Sequence, residues 1–225
     1  MFTIAIDGPS GAGKSTVAMM TARYLGWRYL DTGAMYRAVA VGCLRSGVDR
    51  DDAAAIASYC RDMELDISTD PDDQYVRLAG CDITEAIRSP EVSAWVSAVS
   101  TNPKCRAELV ARQRAIIATG HFVAEGRDIT TVVAPEAEVR LLLTADATTR
   151  LARRGAQLAG QVDAADLRDQ VLRRDRDDSK LVEFQVAADG VVTIDSTTLT
   201  PDQVVAQILT LARRAGIEVV DKGDQ

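Results

Sequence analysis

The chain has 225 residues, of which 47% are apolar and 26% are charged, so it is long enough to bury a core in one or at most two domains. Its formal net charge of -7 argues against a general nucleic-acid or anionic-membrane surface, because such partners require a basic face. Four scattered cysteines without a Cys-x-x-Cys pair, together with a single histidine, argue against a zinc site.

The first predicted strand, Phe2 to Ile6, begins at the second residue and leaves no room for a signal or transit peptide. No stretch approaches the ~20 consecutive apolar residues that a membrane-spanning helix requires. We therefore expect a cytoplasmic protein with reduced cysteines that is not embedded in a membrane.

Short apolar runs alternate with longer helical patterns along the chain. The runs cover residues 2–6, 28–30, 121–125, 139–144 and 191–195. This alternation predicts an α/β fold with a parallel sheet. The helix after residue 13 is expected to end at Gly26, and the last helix to begin with a capping box over residues 200–203 and to end before Gly216.

Two segments depart from the alternation. Residues 63–84 contain short period-two runs around an Asp/Pro turn, which predicts an antiparallel insert. Residues 146–180 form an arginine-dense pair of helical patterns, which is either a solvated surface or part of a site. No internal repeat or interdomain linker is evident, so a single domain is expected.

The sequence GPSGAGKST matches the full Walker A pattern and lies between a predicted strand and a predicted helix. Its glycines allow backbone N–H groups to converge on phosphate oxygens at the positive end of the helix. Lys14 is expected to reach the β and γ phosphates, and the Ser15 hydroxyl to bind Mg2+. The predicted ATP-binding residues are Gly8, Pro9, Ser10, Gly11, Ala12, Gly13, Lys14, Ser15 and Thr16.

The class of phosphate-loop protein can be narrowed from two further features. Asn102 is the only asparagine, so the Asn-Lys-x-Asp guanine-binding motif of GTPases is absent and small-molecule or nucleotide kinases remain. A hydroxyl acceptor usually needs a carboxylate to position or deprotonate it. A phosphate acceptor is already ionised and needs arginines instead, because two anionic groups must be brought together.

Arginines do follow the predicted strands. Arg37 lies in YLDTGAMYR after the second strand, and Arg127 lies in AEGRD after the third. In an open α/β sheet such strand ends form the ligand crevice. Each arginine alone is compatible with an ordinary surface residue, as is Arg174, which shares a helix face with Asp178.

The segments GPSGAGKST, YLDTGAMYR, VAEGRD, RRDRDDS and VVTIDSTTLT together resemble the bacterial cytidylate kinases, which phosphorylate CMP and dCMP with ATP. The resemblance extends over nearly the whole chain. It implies an α/β, three-layer P-loop kinase core with a parallel five-stranded sheet, a small antiparallel insert on the acceptor side and a helical lid. It also implies a monomer with an NMP-binding region over about residues 32–106 and a lid over about residues 156–184, acting on neither nucleic-acid polymers nor membranes.

The resemblance further implies roles for individual residues. Base recognition falls on Ser97, Arg106 and Asp128, and the acceptor phosphate on Arg37 and Arg127. The remaining implied contacts are Tyr36 and Asp178 for the ribose, Arg174 from the lid and Thr32 near the nucleotide. Lys14, Arg37, Arg127 and Arg174 are the implied catalytic residues.

The chain departs from the family pattern at two positions. Leu181 stands where the lid usually has a second arginine, and Lys180 beside it would supply only a point charge. Thr130 stands where the family frequently has glycine, and a threonine does not readily adopt a positive φ, so a slightly different loop is expected.

Two alternatives stay open on the sequence alone. One is a kinase for a small hydroxyl acceptor, in which Asp128 is a general base. The other is a non-catalytic nucleotide-binding module that signals by closing its lid.

Overall fold

The computed structural model describes residues 1–157 and 186–220. Its main sheet has five parallel strands in the order β2-β6-β1-β7-β8. These strands are β1 (Thr3–Asp7), β2 (Arg28–Asp31), β6 (Phe122–Gly126), β7 (Val139–Thr144) and β8 (Val192–Asp195). The parallel five-stranded core of the predicted α/β fold is thereby confirmed.

The predicted antiparallel insert is also confirmed. It is a three-stranded sheet in the order β3-β4-β5, with strands β3 (Leu65–Ile67), β4 (Val76–Leu78) and β5 (Cys81–Asp82). It follows helix α3 (Ala53–Asp62) and precedes helices α4 (Pro90–Ser100) and α5 (Pro103–Ile117).

Seven α-helices lie within the described residues: α1 (Lys14–Leu25), α2 (Thr32–Arg45), α3, α4 (Pro90–Ser100), α5 (Pro103–Ile117), α6 (Ala147–Gln157) and α7 (Pro201–Arg214). Helix α1 ends at Gly26, whose left-handed φ of 67° fits the predicted cap. The capping box at Thr200 and Gln203 is present, and α7 ends before Gly216 as expected.

Successive residues of the central strand face opposite layers. Ile4 and Ile6 pack with α1 and α7, whereas Ala5 faces the larger cluster formed by α2, α4 and α5. Trp95 of α4 lies in that larger cluster and is 8% exposed, so it is a core residue. Among the residues that the structure describes, no helix is long and apolar enough to cross a membrane.

Candidate active site

The phosphate loop joins β1 to α1 at the carboxyl edge of the sheet. Its three glycines, Gly8, Gly11 and Gly13, all have a positive φ. A Cβ on Gly8 would lie 2.1 Å from the carbonyl oxygen of Leu143 in β7, so this position also needs glycine for space. Gly13 caps α1 without a side-chain hydrogen bond, which leaves the first-turn N–H groups able to bind an anion.

Lys14, Ser15 and Glu125 meet beside this loop. The Lys14 ammonium donates to the carbonyl of Pro9 at 3.0 Å and lies 4.0 Å from Glu125 Oε2. The Ser15 hydroxyl donates to Glu125 Oε1 at 2.6 Å. A serine hydroxyl and a carboxylate are both oxygen ligands of the kind that Mg2+ prefers, so this pair could hold the ion of a bound metal–nucleotide complex.

Glu125 is a candidate functional residue to which the sequence reasoning gave no role. It is the fourth residue of β6 and is 5% exposed. Burial raises the pKa of its carboxyl and nearby Asp31 raises it further, whereas Lys14 and Ser15 lower it. The motif AEGRD did contain the acidic residue, but only the strand order shows that β6 lies directly beside β1 and its phosphate loop.

Arg37 and Thr32 lie at the carboxyl end of β2. Asp31 accepts a hydrogen bond from the Ala34 N–H as the N-cap of α2, and its other oxygen pairs with Arg37 Nη2 at 2.7 Å. The Thr32 hydroxyl donates to the Glu125 carbonyl at 2.8 Å. The first turn of α2 is therefore fastened to β6, and Arg37 is oriented at the edge where Lys14 and Glu125 lie.

The predicted base-recognition residues Arg106 and Asp128 are in direct contact. Arg106 Nη2 donates to Asp128 Oδ2, and Arg106 Nη1 donates to the Ser100 carbonyl at 3.3 Å. Ser100 is in the last turn of α4, the helix that also carries half-buried Ser97. Arg127, also half-buried, directly follows β6, between Gly126 and Asp128.

The turn after Asp128 is fixed to β1 by Asp7. Asp7 Oδ1 accepts from the Ile129 N–H at 2.7 Å, and Oδ2 accepts from the Thr130 N–H at 2.9 Å and the Thr130 hydroxyl at 2.5 Å. Residues Ile129–Val133 form a π-helical turn in which Thr130 does not adopt a positive φ. Threonine therefore fits this position, and its hydroxyl adds a hydrogen bond that glycine could not make.

The arginines of α6 are half-buried and two of them bind neighbouring segments, so this part of residues 146–180 is not a fully solvated surface. Arg150 donates to the Ser10 carbonyl at 3.1 Å, and Arg153 donates to the Ser196 carbonyl at 2.8 Å. Burial lowers the pKa of Arg154, and the nearby charges of Arg37 and Arg88 lower it further. Sequence reasoning gave none of these three arginines a role.

The predicted lid residues Arg174, Asp178, Lys180 and Leu181 lie outside the described residues. Most of the other implied residues lie at the carboxyl edge of the sheet, where the phosphate loop follows β1, Thr32 and Arg37 follow β2, and Arg127 and Asp128 follow β6. Arg106, in the first turn of α5, reaches this edge through its ion pair with Asp128. This edge brings together a phosphate loop, a buried acid, a tethered arginine and an arginine–aspartate pair.

The sequence profile of the cytidylate kinase family matches residues 4–214. A cytidylate kinase of Cutibacterium acnes is 48% identical over 213 residues, covering 92% of this chain and 94% of the relative. Cytidylate kinases of Symbiobacterium thermophilum and Rhodococcus opacus are 44% and 46% identical, covering 94% and 95% of this chain and 96% of each relative. The chain belongs to the cytidylate kinase family.

Proposed function

We propose that this chain transfers the γ-phosphoryl group of ATP to CMP or dCMP, giving ADP and CDP or dCDP. The observation that supports this function best is the Arg106–Asp128 pair, whose Asp128 side chain is only 6% exposed. A buried carboxylate held beside an arginine, on the same sheet edge as a phosphate loop, suits an acceptor that presents both donors and acceptors.

Cytosine has that pattern. Its exocyclic amine is a donor for Asp128, and its ring N3 and O2 accept from the Arg106 guanidinium, with Ser97 as a further proposed contact. Uracil would present a carbonyl oxygen to the Asp128 carboxylate. Such a buried mismatch can reject the wrong base by orders of magnitude.

In the proposed reaction Lys14 and the first-turn N–H groups of α1 hold the donor, and Arg37 and Arg127 hold the acceptor phosphate. The acceptor phosphate has a second pKa of ~6, so it is largely ionised at neutral pH and needs no general base. The arginines offset the repulsion between the two anionic groups and stabilise the charge of the transferring phosphoryl group. No covalent enzyme intermediate is required.

Ser15 and Glu125 are the residues proposed to hold Mg2+, which when bound would neutralise phosphate charge. We assign ribose contacts to Tyr36 and Asp178, and a lid contact to Arg174. The proposed NMP-binding region is about residues 32–106 and the proposed lid about residues 156–184, which would close over the site and exclude water. We further propose that the chain acts as a monomer in the cytoplasm.

A coupled assay of ADP release with CMP, dCMP, UMP and AMP tests this function. The chain is expected to prefer CMP and dCMP, and a preference for UMP or AMP would exclude the proposed base contacts. Binding of ATP without acceptor-dependent ADP release would instead favour a nucleotide-binding module.

The variant Asp128→Ala separates the proposed function from the hydroxyl-kinase alternative. Selective loss of activity on cytosine nucleotides is expected if Asp128 recognises the base. Equal loss of turnover on every accepted substrate would identify it as a general base.

A further inference from the structure

Two neighbouring buried side chains carry polar atoms that are left without hydrogen bonds. In the described part of the chain, neither the carbonyl oxygen nor the nitrogen of the Gln113 amide has a partner, and the Tyr36 hydroxyl has none. Gln113 is 0% exposed and Tyr36 is 8% exposed. Buried polar groups are usually paired because leaving one unpaired is destabilising, so this cluster needs an explanation.

The cluster adjoins the Arg106–Asp128 pair. Gln113 lies seven residues after Arg106 on α5, which is about two helical turns, so both side chains leave the same face of the helix. Tyr36 lies on α2, which packs against the same core as α5. Gln113 is therefore placed behind the base-recognition pair, with Tyr36 beside it.

The Tyr36 hydroxyl is influenced electrostatically by both Gln113 and the Arg106–Asp128 pair. Burial and the negative charge of Asp128 raise the pKa of Tyr36, whereas Arg106 and the Gln113 side chain lower it. The Tyr36 hydroxyl is thus near both Gln113 and the ion pair. Gln113 itself, being fully buried, has no surface with which to touch a nucleotide.

We propose that Gln113 is a positioning residue for the acceptor base, acting through Tyr36: when the nucleotide binds, the amide N–H of Gln113 donates to the Tyr36 hydroxyl oxygen, and the hydroxyl proton is directed at the Asp128 carboxylate. This inference rests on the proposed function and extends it to a residue behind the binding surface. The reverse arrangement, with the Gln113 carbonyl accepting the hydroxyl proton, would turn the lone pairs of Tyr36 toward a carboxylate. Acceptor would then face acceptor, which is unfavourable.

This arrangement matters when the nucleotide binds. Cytosine competes for Arg106 and for Asp128, so the two residues exchange part of their contact with each other for contacts to the base. A hydroxyl that donates to Asp128 keeps the carboxylate ionised and fixed as an acceptor for the exocyclic amine. Gln113 therefore contributes to the preference for cytosine without touching it.

The test is Gln113→Met, which keeps the approximate volume and removes both polar atoms. We expect the KM for CMP to rise about fivefold to tenfold and the CMP-to-UMP preference to fall by a similar factor, as for loss of one hydrogen bond. The KM for ATP should not change. The thermal midpoint should be unchanged or higher, because an unpaired buried amide has been replaced by an apolar group.

Two further variants test the direction of the Gln113–Tyr36 hydrogen bond and whether Gln113 acts through Tyr36. Gln113→Glu keeps the shape but can only accept when ionised, and it should lose at least as much preference for CMP as Gln113→Met. The double variant Tyr36→Phe/Gln113→Met should lose no more of the CMP-to-UMP preference than Tyr36→Phe alone. The reason is that Gln113 acts only through the Tyr36 hydroxyl. Leu109→Met, which alters a fully buried residue on the same helix, is the packing control and should keep wild-type kinetics.

The opposing outcomes are distinct. A Gln113→Met chain that fails to fold, or melts earlier with an unchanged KM for CMP, assigns Gln113 a purely structural role and overturns the inference. The inference is also overturned if the double variant loses CMP-to-UMP preference by the sum of the two single-variant losses. A wild-type chain that does not phosphorylate CMP overturns the proposed function and this inference together, whereas wild-type turnover with unaltered kinetics in Gln113→Met overturns this inference alone.

Discussion

The guanidinium of Arg106 and the carboxylate of Asp128 form an ion pair between the first turn of α5 and the residue that begins the turn after β6. Their side chains are 22% and 6% exposed, so removing one partner would leave a largely buried charge without compensation. In the free protein each residue satisfies the other. In the proposed function, binding of a cytosine base is therefore an exchange of partners by Arg106 and Asp128.

This exchange predicts the effect of Arg106→Lys. Lysine keeps the positive charge beside Asp128 but cannot present the two parallel N–H groups of a guanidinium. We expect kcat/KM for CMP to fall about tenfold to one-hundredfold, as for loss of a hydrogen bond to a charged group, with the KM for ATP unchanged. Steady-state kinetics with each substrate varied in turn measures this.

Arg112→Lys is the matched control, because Arg112 lies on the same helix but pairs with Glu108 at 2.7 Å. It should keep wild-type kinetics. Equal losses of kcat/KM in both variants would attribute the effect to α5 itself rather than to base recognition.

Asp31 has two functions that can be separated by substitution, since it caps α2 and pairs with Arg37. Asp31→Asn keeps an N-capping side chain and removes the charge, so we expect normal stability and about tenfold lower kcat/KM for CMP. Asp31→Ala should show the same kinetic loss and an additional decrease of about 1 kcal/mol in the free energy of unfolding. Denaturant titration and CMP kinetics provide the two measurements. A gain in kcat/KM for Asp31→Asn would mean instead that Asp31 competes with the acceptor phosphate for Arg37.

Glu125→Gln tests the acidic residue beside the phosphate loop. Glutamine keeps the volume and an acceptor for the Ser15 hydroxyl but removes the negative charge, so we expect the Mg2+ concentration for half-maximal activity to rise about tenfold or more. Stability should be equal or higher, because burial raises the pKa of Glu125 and its ionised form is costly in the folded chain. Glu138→Gln, at an exposed residue that accepts from the Thr3 N–H at 2.7 Å, is the control. Unchanged Mg2+ dependence in Glu125→Gln would remove Glu125 from the proposed ion site.

The elements that could be predicted from the sequence are those governed by local rules. The phosphate loop depends on glycines that allow a positive φ, and the ends of α1 and α7 depend on Gly26 and on the Thr200 capping box. Each signal is complete within about ten residues. The parallel strands were found for a similar reason, because buried β-branched runs and intervening helices are themselves local patterns.

The parts of the site that were missed depend on which segments become neighbours. Glu125 gains its proposed role because β6 pairs with β1, and Gln113 gains its proposed role because it lies near Tyr36. Arg154 is similar, since its charge lies near Arg37 on a helix more than one hundred residues away in sequence. A single sequence shows that such residues exist but does not show what lies opposite them.

Asp7 provides a prediction about pH dependence. Asp7 is 3% exposed, and burial raises the pKa of its carboxyl although the Thr130 and Ile129 hydrogen bonds oppose this shift. The unfolded chain would ionise this group near ~3.9, below the folded chain. Between that value and its raised folded pKa the folded state therefore binds more protons, and the stability that Asp7 contributes falls as the pH rises through this window.

Asp7→Asn should isolate this contribution. The asparagine oxygen can accept only part of the three hydrogen bonds, and its NH2 group would face an N–H donor of the turn after Asp128. We expect a loss of about 1–3 kcal/mol in the free energy of unfolding, largest near pH 4 and smaller by pH 8, measured by denaturant titration across that range. Asp82→Asn is the control with the opposite pH dependence. Hydrogen bonds from Thr84 lower the pKa of exposed Asp82, so the loss in the free energy of unfolding caused by Asp82→Asn should grow as the pH rises. A loss in the free energy of unfolding that grew with pH for Asp7→Asn as well would contradict this prediction. It would mean that the three hydrogen bonds affect the pKa of Asp7 more than burial does, and that the ionised carboxylate is the stabilising form.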